Sequence, residues 1–181
     1  MTKKGLNQNG KYVQELINYI EPEFIFSNKP LNRLKIIKND DNIENQNKIE
    51  LLSKLGKKIS SIQNCNLKDN SKKLVMGSGD VDSSIMLVGE APGKIEDSSG
   101  YPFQGDVGSL LKKMLSAINI DLEKVYLTYS INFRPPEDRK PTAQEIKRYS
   151  VFLKEHISII NPKFVILLGS TAMEAVTGLT N

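Results

Sequence analysis

An α/β fold with a mostly parallel sheet is the architecture this sequence predicts, and three observations carry it. Short apolar runs, Ile85-Met86-Leu87-Val88, Val125 to Ile131 and Phe164 to Leu168, have the character of strands covered on both faces. Amphipathic helical patterns follow each of them, so strand and helix alternate through the second half of the chain. The loops after the first two runs are punctuated by Gly and Pro, and they leave the carboxyl ends of strands, where such sheets keep their ligand chemistry.

Taken in order, Lys11 to Ile20 places Tyr12, Val13, Leu16, Ile17 and Ile20 at helical spacing and stops at Glu21-Pro22. Asn39 to Lys48 is almost wholly polar and reads as a mobile linker. A weaker helical pattern runs from Ile49 to Ile59. The expected division is a helical extension with a polar linker over residues 1–60, then an α/β domain over 61–181. Lys73 to Met76 reads as a short edge strand closed by Gly77-Ser78-Gly79-Asp80, and Ser84 to Val88 as a central strand. Val107, Leu110, Leu111, Met114, Leu115 and Ile118 then mark one face of a helix. Val125 to Ile131 is a second central strand, followed by the turn RPPEDRKPT. Thr142 with Glu145, directly after Pro141, fits a capping box, and Ile146, Tyr149, Leu153, Ile157 and Ile160 give that helix its buried stripe until Asn161-Pro162. After Phe164 to Leu168, Gly169-Ser170 opens a short helix through Met173 and Val176.

The chain has 181 residues, enough for one ordinary domain with an appendage. No apolar run approaches the roughly 20 residues needed to span a bilayer, and MTKKGLNQNGKY lacks the apolar core of a secretory signal. A cytoplasmic monomer without membrane association is therefore expected. The single cysteine, Cys65, rules out an internal disulfide and any metal site or cluster built on several thiolates of one chain. Residues 1–80 carry 14 Lys and Arg against 9 Asp and Glu, so the basic excess lies before the candidate site. That balance favours a polyanion such as nucleic acid, and a dispersed, solvated lysine surface is its plain alternative.

The candidate site is the loop GEAPGKIEDSSGYPFQG, from Gly89 to Gly105. It has neither a GK[ST] ending nor GxGxxG spacing, which disfavours a phosphate cradle and with it a nucleotide-binding module. It offers the carboxylates Glu90 and Glu96, with Asp97 beside the second, to orient water or to balance positive charge developing on a sugar. Glu96 and Asp97 read equally as solvated loop charges. Phe103 reads either as a ring that stacks on a flat base or as a plug under the loop. Arg134 and Arg139 flank a stiff proline turn that could hold a phosphate backbone. His156, the single histidine, falls near a buried stripe and reads as structural.

GEAPGKIEDSSGYPFQGDVGSLL, RPPEDRKPTAQEI and FLKEHISIINPKFVILLGSTA, in that order, resemble successive blocks of the uracil-DNA glycosylase superfamily, family 4 and its alphaproteobacterial relatives above all. The resemblance covers roughly Cys65 to Leu179. It implies a three-layer α/β/α domain that binds DNA, flips out uracil or another deaminated base, and hydrolyses its N-glycosidic bond without a metal. It assigns Glu90 and Glu96 as catalytic carboxylates and places Ala91, Gly93, Phe103 and Tyr129 in the base pocket. Arg134 and Arg139 fall where the duplex phosphates would be held. Tyr129 stands where the family has an asparagine that reads the uracil edge, and a phenol cannot supply an amide's paired donor and acceptor. Phe133 and Tyr149 stand at two cysteine positions of the family 4 iron-sulfur cluster, so no cluster is expected. The family's His-Pro-Ser block has no counterpart before Asn181. The alternative reading is a degenerate homologue that binds DNA without catalysis.

Overall fold

The computed structural model describes residues 41–179, which lie within one compact unit, Asn39–Asn181. The helix expected from Lys11 to Ile20 falls outside the described residues. Four strands, β1 (Gly77–Gly79), β2 (Ile85–Gly89), β3 (Tyr126–Tyr129) and β4 (Phe164–Leu167), form one sheet in the order β1-β3-β2-β4. β2 runs parallel to both of its neighbours, and β1 is antiparallel to β3. The helices are α1 (Asp41–Ser60), α2 (Asn66–Asn70), α3 (Lys94–Ser99), α4 (Gly105–Ala117), α5 (Ala143–Ile160) and α6 (Ser170–Thr177).

Alternation along the central strands builds the layers. Met86, Val88 and Tyr126 pack with Leu55 and Ile59 of α1, with Tyr149, Leu153 and Ile160 of α5, and with Ala172 and Ala175 of α6. Leu87 and Leu127 point the other way, onto Leu111 and Leu115 of α4. The predicted α/β fold with a mostly parallel sheet is what forms, in three layers. The capping box also closes as expected: Glu145 N–H donates to Thr142 Oγ1 at 3.3 Å, and Thr142 N–H to Glu145 Oε2 at 2.7 Å. His156 is buried, its Nε2 lying 2.9 Å from the Tyr126 hydroxyl, and burial holds its pKa down at about 4.

Four expectations are corrected. The stretch read as a linker is helical from Asp41 onward, and Lys48 Nζ donates to Val81 O, Asp82 Oδ1 and Ile160 O at 3.0–3.2 Å. A lysine that binds carbonyls of other segments belongs to the compact unit, and so does α1. The edge strand is not Lys73 to Met76 but the glycine segment after it. A Cβ on Gly77 would lie 2.6 Å from the Tyr126 hydroxyl, and Gly79, at φ +113°, lies so close to Val125 O that a Cβ would overlap it. Glycine is thus what lets β1 close on β3.

The apolar stripe of α4 divides. Leu111 and Leu115 face the sheet, while Val107, Leu110, Met114 and Ile118 are between 59% and 65% exposed. The reason is the width of the stripe: a helix on a sheet buries only the side in contact, and no described element covers the adjacent flank. β4, read as covered on both faces, is an edge strand covered on one, because Val165 and Leu167 pack on the α5 side while Phe164 and Ile166 stay exposed. Among the described residues, no helix is long and apolar enough to cross a membrane.

Candidate functional site

Gly89 and Tyr129 are register partners at the carboxyl ends of β2 and β3, so the loops that follow them leave along one edge of the sheet. This is the place the chain order predicts for a ligand. The crossing backbone is fixed by Ser130, whose N–H and hydroxyl both donate to Gly89 O at 2.8 Å.

Glu90 is the first residue past β2 and is half-buried. The Thr171 hydroxyl, in the first turn of α6, donates to its Oε2 at 3.0 Å. Thr171 is fully buried, which fixes the direction of the hydroxyl. Among the described residues no other side chain bonds this carboxylate, and its other oxygen is left for a ligand or water. Thr171 went unrecognised in the sequence, where it is one polar residue in GSTA, 81 positions away.

Glu96 and Asp97 are both buried, so neither is a solvated loop charge. Glu96 Oε2 accepts from Gly93 N–H at 3.0 Å and Oε1 from Gln104 N–H at 2.9 Å. One carboxylate thereby caps α3 and pins the approach to α4. Each oxygen accepts one backbone N–H, so Glu96 holds the shape of the loop and keeps lone pairs for a further donor. Asp97 Oδ1 accepts from Lys72 N–H at 2.8 Å and Lys73 N–H at 3.3 Å, tying the loop to the segment before β1. Asp97→Ala is expected to strand two amides and cost about 2 kcal/mol in urea unfolding, while Asp97→Asn, which keeps an acceptor at Oδ1, costs less.

Phe103 and Tyr129 come together. Their rings stack with centroids 4.8 Å apart and planes 24° from parallel, and Phe103 N–H donates to the Tyr129 hydroxyl at 3.0 Å. Burial pushes the Tyr129 phenol up to about 12, with the Glu96 carboxylate also acting to raise it, so the ring stays neutral. Ala91 and Gly93 lie between Glu90 and α3, both half-buried.

The two arginines of the proline turn have carboxylate partners. Arg134 Nε and Nη2 both reach Asp138 at 2.7 Å, and Arg139 grips Glu145 at 2.7 and 2.9 Å. The guanidinium of Arg139 and the capping bonds to Thr142 hold the Glu145 carboxyl down at about 2.

On the buried stripe of α5, Cys65 Sγ lies 3.2 Å from the Tyr149 hydroxyl, and the Phe133 ring meets Tyr149 edge-on at 6.5 Å. One thiol and two rings do not fit a cluster held by four thiolates, and among the described residues no three His, Cys, Asp or Glu side chains gather for a metal.

The sequence model of the Uracil DNA glycosylase superfamily matches residues 76–181. The chain is 38% identical over 124 residues to a type-4 uracil-DNA glycosylase of Thermotoga maritima, a match covering 68% of this chain and 65% of the relative. Against the type-4 enzyme of Archaeoglobus fulgidus it is 35% identical over 131 residues, 72% of this chain and 66% of that one. It thus spans just under two thirds of the length of these relatives. A DNA polymerase of Bacillus phage SP01 is 32% identical over 115 residues, 12% of that long chain.

Proposed function

The chain belongs to the uracil-DNA glycosylase superfamily, and from that premise we propose that it hydrolyses the N-glycosidic bond of uracil or another deaminated base in DNA. The observation that carries this reading is Glu90: a carboxylate at the carboxyl end of a central parallel strand, oriented by a buried threonine and free on one oxygen. As the bond between sugar C1′ and the base nitrogen lengthens, positive charge grows on the sugar and negative charge on the base. Glu90 faces the first and directs a water to C1′. The water oxygen bonds to C1′, its proton is released, and the base departs with the bonding electron pair and is protonated. No metal takes part in this scheme. Glu96 acts at one remove, by holding Gly93 and Gln104 in place.

DNA would reach the site across the proline turn. The carboxylate partners of Arg134 and Arg139 are no obstacle in kind, because a phosphate offers a guanidinium the same paired oxygen acceptors as Asp138 or Glu145.

Incubating the protein with single- and double-stranded oligonucleotides carrying one uracil, followed by alkaline cleavage, tests the proposal. Release of uracil is expected, reduced about a hundredfold in Glu90→Gln. A second reading, DNA binding without excision, is favoured by one observation, the Tyr129 ring at the base-reading position. Retardation of DNA at low salt with no release under excess protein would establish that reading and sink the first.

A further inference from the structure

The Phe103 and Tyr129 rings occupy the sheet edge that a ligand should use. Both press on bare backbone: a Cβ on Gly89 would lie 2.8 Å from Tyr129 Cδ1 and Cε1 and 2.9 Å from Phe103 Cζ. The tyrosine is buried and the phenylalanine half-buried. Stacked at 4.8 Å, with the phenol oxygen bonded to the Phe103 amide, the tyrosine ring lies against Phe103 as a flat base would. Phe103 adopts φ 53°, a left-handed conformation that costs a non-glycine residue energy. The bond from its own amide to Tyr129 is one of the contacts that hold it there.

We infer that Tyr129 is a lid on the base pocket, its ring standing on Phe103 in the place of the base, so that a base enters only when the tyrosine swings out. This rests on reading the β2–β3 edge as the base pocket, but not on catalysis. Tyr129 is then a specificity-determining residue: it sets an opening penalty that every substrate has to meet, and it lowers apparent affinity by the fraction of molecules that are open. A base that offers more contact than bare uracil, or DNA that contributes binding elsewhere, pays that penalty more readily than the free base.

Free uracil is the probe, followed at the Gly89 and Phe103 amides by nitrogen–proton correlation spectra of the labelled chain. Wild type is expected to show slow hydrogen exchange at the Phe103 amide and no saturable uracil shifts at either residue. Tyr129→Phe should speed exchange at Phe103 by about tenfold or more. Tyr129→Ala should gain uracil shifts, with affinity raised by about tenfold or more over wild type. Should the alanine chain fail to fold, Tyr129→Ser takes its place, being smaller than tyrosine and polar yet without an amide's paired donor and acceptor. Saturable uracil binding by wild type, an unprotected Phe103 amide in wild type, or no gain in the small-residue variant at Tyr129 would each overturn the lid. Failure of the glycosylase reading looks different: that variant binds uracil at Gly89 and Phe103, yet neither it nor wild type cuts uracil-containing DNA.

Discussion

Gly108→Ala is expected to destabilise the protein by about 3 kcal/mol, in the opposite sense to the usual effect of that substitution in a helix. A Cβ on Gly108 would overlap Phe103 O, and it would lie only 2.5 Å from the carbonyl carbon. Both are backbone, which cannot turn aside as a side chain can. Either the start of α4 moves off the loop or Phe103 leaves its place, and in the second case the Phe103–Tyr129 stack opens as well. Gly56→Ala in α1 is the internal control. There the new methyl group would meet Met76 Cγ at 3.7 Å, an ordinary contact, so the loss of unfolded-state freedom dominates and the chain gains roughly 0.5–1 kcal/mol. Urea midpoints moving in opposite directions confirm the pair. A gain in stability for Gly108→Ala would show that the close approach of Phe103 is not made.

The second large effect is an acid loss of stability centred on His156. Burial lowers its pKa from 6.5 to about 4, and the Tyr126 hydroxyl is its hydrogen-bond partner. Between these two values the unfolded chain binds a proton that the folded chain refuses, so stability rises with pH across the window. The contribution is complete above about pH 6.5 and is lost as the pH falls toward about 4. At about 1.4 kcal/mol per pH unit, the window is worth about 3 kcal/mol. Urea unfolding at pH 7.5 and 4.5, which crosses about two units of that window, should show wild type losing about 2.5 kcal/mol more than His156→Gln. Equal losses in the two proteins would assign the acid sensitivity to other groups.

Features governed by neighbouring residues were legible in the sequence. The apolar runs of β2 and β3 need no partner to be recognised, and Thr142 with Glu145 forms its capping box within four residues. The sheet edge that carries the candidate site followed from chain order. What could not be read depended on distant partners. The polar first half of α1 looked like a linker because Lys48, which anchors it, binds groups that lie 33 to 112 positions away. The stripe of α4 gave its apolar residues but not which side the sheet would take. β1 is strand because Tyr126 and Val125 lie under its glycines, and no propensity scale finds a strand in Gly-Ser-Gly. At the site, Glu90, Phe103 and Tyr129 were identifiable by their blocks. The capping geometry of Glu96, the threonine behind Glu90 and the contact between the two rings were not, since each is a matter of distance between segments.

The order β1-β3-β2-β4 also governs how the molecule assembles in time. Met86 pairs with Tyr126, 40 positions on, and Ile85 with Phe164, 79 positions on. Each closure costs chain entropy before its contacts repay it, which makes folding of such sheets slow. During synthesis β2 is complete long before β4 emerges, and until then one of its edges has no strand to bond. Thr171 follows β4, so the carboxylate of Glu90 gains its orienting hydroxyl among the last contacts of the unit to form. The geometry of the Glu90 carboxylate is thus a late product of folding, and anything that delays the docking of β4 leaves a protein with most of its core and an unset Glu90.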